Sequence, residues 1–100
     1  MIIKRYALEE TSEPQFVEMT KTAFIKHFGI SIYLNSKAPG QMLFEEHLYI
    51  WAPYFEGQHT EKRQLLLIKD DQEVTDWAAY KYIGSALKMD GTALHLLELK

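Results

Sequence analysis

Residues 12–29 read SEPQFVEMTKTAFIKHFG, and whether this stretch coils or extends decides the fold class. Ser12 suits a helix N-cap, Glu13 and Pro14 suit a first turn, and Gly29 suits a terminator. Between them Phe16, Val17, Thr20, Ala23, Phe24, His27 and Phe28 fall on one stripe at helical spacing. Glu18, Lys21, Thr22 and Lys26 lie off that stripe. The spacing predicts an amphipathic helix with Phe24 in the middle of its buried face.

The flanking segments read mainly as strands. Residues 2–8 alternate Ile2, Lys4, Tyr6 and Leu8 against Ile3, Arg5 and Ala7, and residues 30–34 alternate Ile30, Ile32 and Leu34 against Ser31 and Tyr33. Pro39-Gly40 suits a type II turn. After it, Met42, Phe44, Leu48, Ile50 and Ala52 share one face of 42–52, spoiled only by Glu46, while Leu43, Glu45, His47, Tyr49 and Trp51 share the other. A helix over 42–52 is the rival, since Met, Leu and Glu are good helix formers. The strand is preferred because the alternation persists. Residues 63–69 carry leucines on both faces, as in a covered strand. Asp70 to Glu73 reads as a capping box that opens a second helix through Trp77 and Tyr80 toward Gly84. SALKM and TALHLLEL flank Asp90-Gly91, a type I′ hairpin signal, with a helix over 85–89 as its rival. The expectation is an α+β fold: a single small domain over residues 1–100, ordered about β-α-β-β-β-α-β(β), with an antiparallel or mixed β-sheet and two helices.

Composition narrows the function classes. A chain of 100 residues without cysteine excludes a disulfide framework and thiolate zinc sites, and it suits a reducing compartment. The first residues carry no apolar leader, and no apolar run nears the roughly 20 residues that span a bilayer, so a cytoplasmic protein with no membrane partner is expected. The net charge of −3 is spread evenly, and the longest basic clusters are the pairs Lys4-Arg5 and Lys62-Arg63. Duplex binding draws on lysine and arginine stripes, so nucleic acid is the less favoured partner. A helix over 71–83 used as a winged-helix reader would turn Asp70, Asp71, Glu73 and Asp76 toward phosphates, which repel them.

Chemistry-bearing patterns are sparse. His47 and His59 flank an aromatic stretch with Glu45, Glu46, Glu56 and Glu61 nearby, but no spacing matches a metal-ligand motif. Ser12, Ser31, Ser36 and Ser85 sit in no nucleophile elbow, and DDQEVTD lacks the glycine and glutamate of a calcium loop. His27 and His95 read as histidines at core margins. No catalytic residue and no cofactor is expected. What stands out is LYIWAPYF at 48–55, with four rings in eight positions. Tyr33, Glu45, His47, Tyr49, Trp51, Tyr54 and Phe55 are therefore expected to bind a protein partner, since Tyr and Trp give rigid contact area with a polar tip. Structural packing of these rings is the bland alternative. Two others are a face stacking unpaired bases on Tyr33, Tyr49 and Trp51 with Lys62 and Arg63 nearby, and a small enzyme using His47 with Glu45. Self-association as a homodimer through the aromatic strand or the segment after it is also expected.

Overall fold

A computed structural model describes residues 1–38 and 40–100, without the side chains of residues 36–38, 41 and 42. Seven strands account for most of it: β1 Ile2–Leu8, β2 Gln15–Thr20, β3 His27–Ala38, β4 Gln41–Tyr54, β5 Thr60–Lys69, β6 Tyr80–Leu87 and β7 Ala93–Leu99. They form two antiparallel sheets, β1-β4-β3 and β2-β5-β7-β6. The inner faces of the two sheets pack on each other. Leu8, Leu48, Ile50 and Ala52 from the first sheet meet Val17, Met19, Leu65, Leu67, Leu94 and Leu96 from the second in one core.

The α+β expectation is overturned: the fold is nearly all β, and neither expected helix forms. Within 12–29, Gln15–Thr20 pairs with β5 over Gln15↔Leu65 to Thr20↔Thr60. Residues 21–26 then cross to the other sheet, and the Lys26 N–H donates to the Trp51 carbonyl at 2.8 Å where β3 begins. Val17 and Met19 point inward and Phe16 and Glu18 outward, a period of two hidden inside an apparent period of 3.6. The stretch is also dense in aromatic and β-branched residues, which favour extension. The need of β5 for a partner outweighs local capping signals, because pairing buries Met19 completely. Phe24 is correspondingly not a core residue; it is 51% exposed. Of the phenylalanines expected inside, Phe28 is buried, whereas Phe16, Phe24 and Phe44 are exposed.

The second expected helix fails for a different reason. Asp71 adopts φ +62°, a left-handed conformation that Asp tolerates and that breaks a helix at its start. The Gln72 amide oxygen accepts the Lys69 N–H at 3.1 Å, closing a turn. Only Trp77–Ala79 forms one 3₁₀ turn before Tyr80 enters β6. The strands expected at 2–8, 30–34, 42–52 and 63–69 are present, three of them longer than expected. A hairpin does turn at Asp90-Gly91, but not as type I′: only Gly91 has positive φ (+87°), and Lys88 and Thr92 close a three-residue loop. At the other hairpin Gly40 has φ +82°, as the second centre of a type II turn requires, while Pro39 lies outside the described residues.

Candidate functional site

In β4 the alternation sends Leu48, Ile50 and Ala52 into the core, so His47, Tyr49 and Trp51 face outward. The register then decides what stands beside them. Arg5 and His27 flank Trp51, Ala7 and Gly29 flank Tyr49, Ser31 is opposite His47, and Tyr33 is opposite Glu45. Five of the seven expected site residues, Tyr33, Glu45, His47, Tyr49 and Trp51, therefore share the outer face of the three-stranded sheet. Tyr54 and Phe55 do not. Tyr54 packs with Tyr6 around the Lys4 ammonium, and the half-buried Phe55 gives its N–H to the Thr20 hydroxyl.

The outer face is a continuous ladder. The Tyr49 and Trp51 rings are 5.4 Å apart, and His27 lies 5.7 Å from the first and 5.0 Å from the second. The Arg5 guanidinium covers the Tyr49 ring at 3.9 Å and donates to Ser31 Oγ at 2.9 Å, which holds it flat on the sheet. Farther along, Tyr33 meets His47 edge-on at 4.8 Å. Glu45 joins His47 Nε2 at 3.2 Å and accepts from Asn35 Nδ2 at 3.0 Å. From Trp51 to Glu45 the ladder runs roughly 20 Å at ~3.3 Å per residue.

Gly29 makes the crossing of the rings feasible. A Cβ there would stand 2.6 Å from the Tyr49 hydroxyl and 2.7 Å from His27 Nε2, so only glycine lets the phenol lie across β3. Arg5, His27 and Gly29 are members of the face that sequence reading missed. The helical spacing of 12–29 places His27 and Gly29 at a helix end instead. The signal that finds them is alternation: once β3 starts at His27, positions 27, 29, 31 and 33 share one side.

Beside the ladder a cleft of about 480 Å³ opens where β1 leaves the sheet, lined by Arg5, Glu10, Glu46, His47, Tyr49 and Lys88 among others. Lys88 Nζ and Glu10 Oε1 meet there at 2.9 Å, and this hydrogen bond holds the Lys88 ammonium above the usual lysine value. His47 and Glu45 do meet, but about half of each side chain is exposed on an open face. Lys62 and Arg63 lie on the other sheet. The Arg63 guanidinium is committed to Glu98 at 2.9 Å and to the Ala23 carbonyl. Among the described residues no three His, Asp or Glu side chains converge to hold a metal ion, and no helix is long and apolar enough to cross a membrane.

The chain matches, over residues 1–100, a family described as a domain of unknown function, DUF7352. It belongs to that family. No curated protein and no solved structure matches this DUF7352 chain, so the ladder is interpreted from its own geometry.

Proposed function

We propose that this chain is a cytoplasmic, non-enzymatic interaction module that binds a protein partner through the outer face of its three-stranded sheet. The observation that carries the reading is the ladder itself. It holds an arginine, two histidines and three large rings that are at least partly exposed on rigid strands, already ordered by mutual contact. Such residues dominate binding energy at protein interfaces, and preordering lowers the entropy cost of association. The glutamate and asparagine at the Tyr33 end supply polar rim groups.

Stacking of unpaired bases is the weaker reading, because the cations it would draw on, Lys62 and Arg63, stand on the opposite sheet and Arg63 is paired. Acid–base chemistry at His47 and Glu45 is weaker still, because nothing around that exposed pair excludes water. Self-association belongs to the proposal through a second surface: Ile32, Leu34 and Phe44 are 52%, 55% and 56% exposed on the strand face that farther along is core.

The test is affinity capture from a lysate of the native host with wild type and with Tyr33→Ala/Trp51→Ala. Neither side chain lies in the core, so the variant should stay folded. A partner held by wild type and lost by the variant supports the reading; identical captures sink it. Quenching of tryptophan fluorescence by short single strands, weakening steeply with salt, would instead favour base stacking.

A further inference from the structure

The outer face of the four-stranded sheet carries a second arrangement, independent of the ladder. Tyr82 on β6 and His95 on β7 lie on adjacent strands, with the Tyr82 hydroxyl 2.8 Å from His95 Nδ1. On the far side of the imidazole, His95 Nε2 is 2.6 Å from Oδ1 of Asp70, in the turn that follows β5. The rings are 5.8 Å apart. His95 keeps 24% of its side chain exposed, between Asp70 at 66% and Tyr82, a residue 57% exposed.

The chemistry of the three groups fixes the direction of the hydrogen bonds. An ionised carboxylate only accepts, so the proton between Asp70 and a neutral His95 sits on Nε2. Nδ1 is then the bare nitrogen, and the Tyr82 hydroxyl must donate to it. A phenol whose proton points at an imidazole that a carboxylate orients is the arrangement that activates a hydroxyl nucleophile.

We propose that Asp70, His95 and Tyr82 form a relay that makes Tyr82 Oη the chain's preferred site of covalent acylation by an activated acyl donor. In the step, a bond forms between Tyr82 Oη and the acyl carbon while the bond from that carbon to the leaving group breaks. The phenolic proton passes to His95 Nδ1 and from there to the leaving group; no oxidant or reductant is needed. His95 is the general base, and Asp70 is a positioning residue that fixes the tautomer.

The other tyrosines serve as internal controls. Tyr49 Oη has only a longer contact, 3.3 Å to His27 Nε2, and that ring is backed by Trp51 rather than a carboxylate. Tyr80 Oη accepts from Gln64, Tyr54 lies by Lys4, and Tyr33 meets its histidine edge-on.

The experiment treats the full chain with N-acetylimidazole and follows each tyrosine by mass spectrometry. The leaving imidazole takes up the proton, so the reaction balances. Tyr82 should be labelled about tenfold or more faster than Tyr33 or Tyr54, modest beside the 10²–10⁴ of enclosed sites because water reaches this relay. His95→Ala should remove that advantage and leave the Tyr33 rate alone. Should His95→Ala unfold, which labelling of the half-buried Tyr6 would reveal, His95→Gln takes its place. Asp70→Asn should slow Tyr82 and shift the imidazole ¹⁵N signals away from the Nε2–H tautomer, a change that a merely structural role would not produce. Equal rates at Tyr82 and Tyr33 in wild type, or an unchanged Tyr82 rate without His95, overturns the proposal. Unchanged ¹⁵N signals in Asp70→Asn remove Asp70 from the relay.

Discussion

Two residues act through an atom that is missing or unpaired. Gly29 is one, because its missing Cβ is the space that Tyr49 occupies. In Gly29→Ala the new methyl meets the far end of a side chain that can swing away, so the backbone need not move. The expected cost is therefore small, about 1 kcal/mol, while Tyr49 leaves its place between Arg5 and His27. Trp51 emission and the Tyr49 ring proton shifts should change while the urea midpoint falls by no more than about 1 M; unaltered spectra would mean that the rings do not depend on the glycine. Tyr6 is the other. Its hydroxyl is buried with no hydrogen-bond partner among the described residues, and its pKa is pushed up, first by that burial and then by Tyr54. An unpaired buried hydroxyl costs desolvation without return, so Tyr6→Phe should leave stability unchanged or raise it by up to about 1 kcal/mol. A clear loss in thermal denaturation would show that the hydroxyl has a bond after all.

At the scale of elements, β5 is held by more than leucines. Arg63 on its inner face binds Glu98 of β7 at 2.9 Å, Glu61 at 3.2 Å and the Ala23 carbonyl, so one guanidinium ties two strands to the 21–26 crossing. Arg63→Met strands the buried Glu98 carboxylate and should cost about 3–5 kcal/mol by urea unfolding. Arg63→Met/Glu98→Leu should recover much of that loss; a double variant no better than the single would show that Glu98 is solvated without its arginine. This tie also bears on what could be read from the chain alone. Strands announced themselves where one face repeated at a period of two, as in 30–34 and 42–52. That alternation also put Glu45, His47, Tyr49 and Trp51 together, and Ser31 and Tyr33 followed from pairing across the Pro39-Gly40 turn. Residues 15–28 misled because Phe16, Thr20, Phe24 and Phe28 mimic a helical stripe, although Phe16 and Phe24 turn to solvent. What decides their state is pairing with β5, forty to fifty residues away, for 15–20 and with β4 for His27 and Phe28, and local spacing carries no trace of either.

For the molecule as a whole, the two sheets do not end together. β3 and β4 pair from His27↔Trp51 to Ala38↔Gln41, but core burial stops at Leu48 and Phe28, so the far end of the hairpin bares Ile32, Leu34 and Phe44. A two-stranded ribbon alone is marginal in water, and a second copy laid on this face would bury large side chains worth roughly 1.5–3 kcal/mol each. Light scattering across concentrations should show a mass rising toward a dimer that Phe44→Lys returns to a monomer; a constant monomeric mass for wild type would leave the patch without that use. The order of strands has another consequence, for how the chain is made. β7 lies between β5 and β6 yet is synthesised after both, and β1 waits for β4. Neither sheet can therefore assemble progressively at the ribosome. Until Ala93–Leu99 emerges, β5 and β6 have no common neighbour, and the leucine-rich β5 and the tyrosine-bearing β6 each keep an edge open to other chains. The nascent chain should be a chaperone substrate up to its last strand, then close in a single late step.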